Sequence, residues 1–347
     1  MGHGAGGSLT AQIIRSARNA FSSDYLDASL DSAILPAEGG RVAFTTDSYV
    51  VRPLFFPGGD IGRIAVCGTV NDLAVVGARP RFISCGLIIE EGLPFETLER
   101  VFASMAAAAH EAGVEIVAGD TKVVEKGHGD GLYVNTSGIG FVPDDVDLSG
   151  SCIEEGDALL VSGTLGDHAM TIMNLRSELG FESSLESDAA PLNSLVEALI
   201  ASVPRLRFLR DVTRGGLAAV LHELSELAEV SLEIDEDCLP VRREVRALSD
   251  ILGIDVLSMA NEGKLLAVVP AEDVARALSA MRSQRYGAEA AAIGRVTSRR
   301  TSPARGAVTG APAETRGPGE ARVTLRTSAG GRRIISRPSG LKLPRIC

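Results

Sequence analysis

The 347-residue chain is 45% hydrophobic but has no tryptophan and only 4% aromatics, so Val, Ile, Leu and Ala must build its core; the length suits two domains. No apolar run reaches the ~18 residues of a membrane span, and a net charge of −11 argues against nucleic acid as a partner. The charge is uneven: residues 295–347 hold 12 Lys and Arg against 2 Asp and Glu, so this basic segment is expected to dock on the acidic remainder or on an acidic partner.

Residues 2–7 are glycine-rich around His3 and read as a flexible loop whose N–H groups can approach phosphate. Nothing there resembles a signal peptide. Helical spacing follows over 9–21. Residues 41–45 alternate as a strand, with Asp47 just past its end. A turn-rich loop at 55–60 precedes a helix over 61–76 that contains Thr69, Asn71 and Asp72. A carboxylate in so apolar a helix must be paired, exposed or bound to a cation. Residues 82–89 read as a buried strand and 94–112 as a helix stopped by Gly113. A short strand at 114–118 leads into Gly119-Asp120-Thr121-Lys122, and another strand runs over 132–142.

A boundary is expected near 143–156. The second unit opens with a strand at 158–162, then Gly163-Thr164-Leu165-Gly166-Asp167-His168 and a helix to 179. A helix at 191–203 follows. Asp211-Val212-Thr213-Arg214-Gly215-Gly216 then opens a further helix, a glycine-rich start suited to an anion. A strand at 231–234 and a helix at 241–252 precede Asn261-Glu262-Gly263-Lys264, which enters a strand at 265–269. A helix at 271–285 and a strand at 289–296 complete the unit. Residues 297–321 read as a disordered insert, and 323–327 and 333–335 as two short strands. The organisation is therefore 1–30 as loop and helix, 31–148 and 149–296 as two domains, the insert, and 322–347 as strands and tail.

Five scattered cysteines without a CxxC pair argue against zinc and disulfides and for a reducing cytoplasm. The sequence ends on one of them, Cys347, which suits either an incidental thiol or a swinging nucleophile. Asp47, Asp72, Asp120 and Asp211 each fit a cap or turn; together they also fit Mg²⁺ bridging nucleotide phosphates. Lys122 would add a point charge, and Gly215-Gly216 backbone donors. No Walker A motif is present.

His3 to Gly7, Thr46 to Val50, Pro53 to Gly59, Cys67-Gly68-Thr69 with Asn71-Asp72, Glu90 to Pro94, Gly119 to Val124, Ser162 to His168, Thr213 to Gly216, Ala260 to Lys264 and the terminal Pro344-Arg345-Ile346-Cys347 run in this order through the chain. In these stretches the chain resembles the HypE family of hydrogenase maturation factors, the carbamoyl dehydratases. The short N-terminus and the insert at 297–321 depart from that pattern.

The resemblance implies an α/β (α+β type) fold with two domains of the aminoimidazole ribonucleotide synthetase type, mixed sheets and a mobile C-terminal tail. It implies a homodimer formed through the first sheet, with ATP and Mg²⁺ as cofactors. By the same carry-over Asp47, Thr69, Asn71, Asp72, Asp120, Thr121, Asp211, Arg214, Gly215 and Gly216 hold the nucleotide, the four aspartates also the metal. Cys347 carries a carbamoyl group loaded by a HypF-type carbamoyltransferase, Glu262 is the base and Lys122 orients the reacting group. ATP-dependent dehydration then gives a thiocyanate, whose cyano group passes to iron on a HypC–HypD complex. His168 is expected only to cap a helix. The alternatives are a selenide-water dikinase-like or thiamine-monophosphate kinase-like enzyme, neither of which explains Cys347, or a non-catalytic scaffold.

Overall fold

The computed structural model describes residues 32–37, 40–176, 183–299, 322–338 and 346–347. The expected loop at 2–7, the helix at 9–21 and residues 300–321 lie outside them.

The described chain begins with β1 (Ala33–Ala37) and β2 (Gly40–Tyr49). A small hairpin, β3 (Phe55–Phe56) and β4 (Gly59–Asp60), delivers Asp60 as the cap of α1 (Ile61–Val75). Its carboxylate accepts from the N–H groups of Gly62 and Arg63 at 2.8 and 3.0 Å, satisfying two of the helix's orphan donors. Then come β5 (Arg79–Glu90), α2 (Phe95–Ala112), β6 (Glu115–Val124) and β7 (Leu132–Val142). These strands form a five-stranded sheet in the order β1-β2-β7-β5-β6. Only the β5–β6 pair is parallel, because α2 crosses between them.

α1 is buried on all sides except at Arg63 and Asp72, which explains its lack of an amphipathic stripe. One face lies on β2 and β7; Ala74 and Val75 reach Leu192 and Leu195 of the second unit. Asn71 fastens the same contact: its amide donates to Ala190 O at 3.0 Å and accepts from Leu192 N at 2.7 Å.

The second sheet has seven strands, β8 (Ala158–Val161), β9 (Phe208–Asp211), β10 (Val230–Asp235), β11 (Leu265–Val269), β12 (Ala291–Arg299), β13 (Val323–Arg326) and β14 (Arg332–Ile334), in the order β14-β13-β10-β12-β8-β11-β9. β8 and β11 are buried on both faces. One core lies between this sheet and α5 (Gly216–Leu227); the other lies under α4 (Asn193–Ser202) and α7 (Val274–Arg282). Two-sided burial is why these strands read as apolar runs without alternation. α3 (Asp167–Arg176) and α6 (Arg243–Leu252) complete the unit.

Four expectations are corrected. β2 runs on to Tyr49, so Asp47 lies inside a strand rather than beyond it. β6 is one ten-residue edge strand, so Asp120, Thr121 and Lys122 do not stand at a strand end. Residues 297–299 continue β12, so the supposed insert does not start at 297. β1 had no strand signal and yet pairs along β2. The basic segment does dock on its own body: Arg332, Arg333 and Arg337 meet Glu233, Asp255 and Glu226 at 2.8–2.9 Å, and Arg326 meets Asp235. No helix of the described residues is long and apolar enough to cross a membrane.

Candidate active site

Thr45, Asp47 and Tyr49 alternate along β2 toward α1. Thr45 Oγ1 donates to Asp72 Oδ2 at 2.9 Å, and the hydroxyls of Thr69 and Thr136 lie 2.5 Å apart. Tyr49 is buried among them; burial, then the charges of Asp47, Asp72 and Glu262, push its phenol upward. The facing wall comes from the second unit, where Asp211 ends β9 and Arg214 follows. Arg214 Nη2 reaches across to Asp47 Oδ1 at 3.4 Å.

Glu262 is presented by a turn that is pinned from three sides. Asn261 accepts from Gly166 N at 2.8 Å and donates to Val212 O at 2.9 Å, holding the 164–166 loop and the end of β9 together. Asp188 Oδ1 accepts from Glu262 N at 3.0 Å. Gly263 passes so close to the 188–190 segment that a Cβ would lie 2.0 Å from Asp188 O. Glu262 is itself fully buried, and its Oε1 has no hydrogen-bond partner. Burial, then Asp188, Asp47 and Asp211, raise its carboxyl far above the usual glutamate range, so it is a proton acceptor held in a poorly solvated place.

Ile346 and Cys347 enter this site. Ile346 is buried in the core that joins the two units, and the half-buried Cys347 packs against that core with its thiol beside the Glu262 carboxyl group. Burial and Glu262 raise the thiol's pKa, with Arg214 opposing, so the seated thiol is neutral. Arg214 stays protonated beside Cys347 and Asp47. His168 Nε2 donates to Ile346 O at 2.5 Å, and its Nδ1 accepts from Ser187 Oγ at 2.8 Å. Burial lowers the pKa of His168, which keeps the ring neutral and leaves that pair of bonds intact. His168 therefore does not cap a helix; it holds the last peptide, and the tail expected to be mobile is seated at its tip.

The structure gathers Asp47, Asp72, Thr69, Asp211, Arg214, Glu262 and Cys347 around one site. It does not bring Asp120, Thr121 and Lys122 there. Asp120 shares a row with Gly86, Asn135 and Ser48, three strand spacings or about 14 Å from β2, and side chains of that row point away from α1. Asp120 and Lys122 are exposed and pair with each other at 3.2 Å. Asn71 uses its amide to join the backbone at 190–192, with one donated and one accepted bond. Gly216 (φ +61°) is required by packing, since a Cβ would lie 2.4 Å from Met259 O; the N–H of Gly216 already serves Thr213 O, while Gly215 is the left-handed cap of α5. The sequence singled out neither Ser187 nor Asp188: a serine and an aspartate in an irregular segment carry no periodic signal.

Beyond Asp188 lies a second space, a polar cavity of about 590 Å³ lined by Ser187, Asp188, Lys264, Asp167 and Arg242 among others. Lys264 Nζ stands 3.1 Å from Asp188 Oδ2. Among the described residues no three His, Cys, Asp or Glu side chains stand close enough to hold a metal ion by themselves.

Known proteins resemble this arrangement along its whole length. The models of the AIR synthase related protein N-terminal and C-terminal domains match residues 29–142 and 154–304. The carbamoyl dehydratase HypE of Azotobacter vinelandii is 47% identical over 349 residues, covering 100% of this chain and 96% of that protein. A solved HypE–HypF complex contains a chain 44% identical, with a TM-score of 0.84 over 94% of this chain and 100% of that one. A hydrogenase maturation protein HypE solved in complex with ATP is 43% identical, with a TM-score of 0.80 over 99% of this chain and 98% of that one. With both halves matched in order and identity this high over the full length, the chain belongs to the carbamoyl dehydratase HypE family of AIR synthase related proteins.

Proposed function

We propose that the protein dehydrates a carbamoyl group carried on the Cys347 sulfur, turning a thiocarboxamide into a thiocyanate with hydrolysis of ATP, and so supplies cyanide for the NiFe centre of hydrogenase. The observation that carries this reading is the Cys347 thiol seated against the buried Glu262 carboxylate beside Arg214. An amide oxygen is a poor leaving group, and the two N–H protons must be removed for a nitrile to form. ATP with Mg²⁺ supplies the phosphoryl group that makes this oxygen leave. The donor set suits a metal that arrives with its nucleotide: among the described residues no carboxylate cage stands ready, and Mg²⁺ commonly takes one or two carboxylates plus phosphate oxygens. Asp47 and Asp211, with Asp72 behind them, would hold it.

Glu262 takes an N–H proton once it is ionised opposite Arg214, and its raised proton affinity then makes it a strong acceptor while confining the ionised form to the upper part of the pH range. Arg214 lies where negative charge develops on the departing oxygen. His168 fixes the tail through the Ile346 carbonyl, so positioning depends on backbone and survives a change of group on the sulfur. A neutral, half-buried thiol is a poor nucleophile, so carbamoyl loading takes place with the tail outside, on a HypF-type partner; the solved HypE–HypF complex of a relative supports that partner. The cyano group then passes to iron on a HypC–HypD-type complex.

The outer face of the first sheet exposes Phe44, Ile88, Ile139 and Phe141, which supports a homodimer closed over this face. Asp120 and Lys122 stand on the same face, so any part they take in catalysis is played across that interface.

Protein carbamoylated on Cys347 and given Mg-ATP should lose the mass of one water at that residue, read by intact-protein mass spectrometry. Consumption of ATP with an unchanged adduct mass would overturn the dehydratase reading.

A further inference from the structure

The seat that receives the tail is built from the body of the protein. His168 is fully buried, with the Phe56 ring edge-on at 5.5 Å and the Ser187 hydroxyl on its Nδ1. Ser187 is tied down in turn: its N–H donates to Pro57 O at 2.8 Å, and its Oγ accepts from Ala189 N at 3.2 Å. Arg63 Nε donates to Ala189 O at 2.7 Å, and a Cβ on Gly58 would lie 2.5 Å from Ser187 O, so the 187–189 segment lies clamped against the first unit. Asn261 and Asp188 fix the Glu262 turn in the same manner. None of these bonds is made by Ile346 or Cys347.

What the seat reads in the tail is short. His168 Nε2 donates to one carbonyl, Ile346 O; one apolar side chain, Ile346, is 6% exposed; and the Cys347 side chain packs against the same core. The chain that delivers the tail is fastened elsewhere, on α5: His222 Nε2 donates to Ile335 O at 2.9 Å, and Arg337 pairs with Glu226 at 2.8 Å. One buried isoleucine and one hydrogen bond are together worth a dissociation constant of about 1 mM. A short covalent link presents its end at an effective concentration of that same order, so the link supplies concentration and the seat supplies recognition.

We propose that the site also works in trans, dehydrating a carbamoylated Ile-Cys end carried by a separate polypeptide. This rests on the reading of the protein as a dehydratase acting at Cys347. The chemistry is that of the chain's own tail. The carbamoyl C–O bond breaks, its oxygen leaves on the phosphoryl group from ATP, and a C≡N bond replaces the C–N bond. Of the two N–H protons one stays with the phosphate and one goes to Glu262; nothing is oxidised or reduced. The substrate class is a peptide that ends on S-carbamoyl cysteine, preceded by a compact apolar residue.

The test uses the full chain with Ile346→Asp and Cys347→Ser, whose own tail neither fits the seat nor carries the group. Its substrate is the synthetic peptide Pro-Arg-Ile-Cys, the sequence of residues 344–347, carbamoylated on sulfur and given with Mg-ATP. The peptide should lose the mass of one water, with a KM on the order of 1 mM. Alanine in place of its isoleucine should raise KM at least about tenfold. His168→Ala, added to the double variant, should raise KM and leave kcat nearly unchanged. Cys347→Ser alone keeps Ile346 in the core and competing for the seat, so it should convert the peptide more slowly than the double variant. No conversion by either variant, or conversion indifferent to the peptide isoleucine, would overturn action in trans. Carbamoylated wild-type protein run alongside separates the two readings. If it loses water while the peptide does not, only this inference falls; if it also fails, the dehydratase reading falls with it.

Discussion

Glu262 shows what a single buried acid costs its protein. Unfolded, it loses its proton near pH ~4.3. Folded, burial and the charges of Asp188, Asp47 and Asp211 make it hold that proton to much higher pH. Between those limits the native state binds more protons than the unfolded state, so this residue's contribution to stability falls as pH rises from the lower value to the upper. Glu262→Gln should therefore raise the melting temperature at neutral pH, and the gain should shrink as pH approaches 4, measured by thermal unfolding across pH. An equal or lower melting temperature at neutral pH would mean that the field around Glu262 is weaker than this geometry implies. Cys67 illustrates the inert counterpart: desolvation pushes its thiol up to about 12, and the Arg63 guanidinium one helical turn away offsets only part of that rise.

Elements were legible in the sequence where their burial is regular. β7 and β11 lie where periodicity puts them, since one alternates between core and exterior and the other is buried throughout. β6 was cut short because Gly119-Asp120-Thr121-Lys122 has turn composition; an exposed edge strand tolerates such residues because little packs against it. β1 escaped because Pro36 weakens its strand signal, though it pairs with β2 from Ala33 to Ala37. The site was legible in part: Glu262 and Arg214 stand in recognisable glycine-rich turns, while the roles of Ser187 and Asp188 follow only from the path of an irregular segment that no local pattern specifies. Asn71 entered the expected nucleotide site through the resemblance, in the stretch Cys67-Gly68-Thr69 with Asn71-Asp72. Its amide joins α1 to the 190–192 backbone. Asn71→Ala would leave two buried backbone groups unsatisfied and should cost roughly 2–3 kcal/mol in a denaturant titration, with nucleotide affinity unchanged. Weaker nucleotide binding at full stability would return Asn71 to the cofactor site.

At the scale of the molecule, the first sheet uses its two faces differently. One carries α1 and the site; the other exposes apolar side chains beside Asp120 and Lys122. The chain should sediment as a dimer, and Phe141→Glu with Phe44→Glu should yield folded monomers that dehydrate slowly while Cys347 remains seated. A wild-type chain that is monomeric at micromolar concentration would sink the proposed interface. The seated tail has one more consequence, for the durability of the enzyme. A half-buried thiol kept uncharged in this site offers little thiolate to peroxide or to alkylating agents. An idle molecule thus shelters its own carrier from oxidation, and chemical wear falls on the intervals of loading and delivery. Such an enzyme ages with the number of cycles it has run and not with the time it has waited.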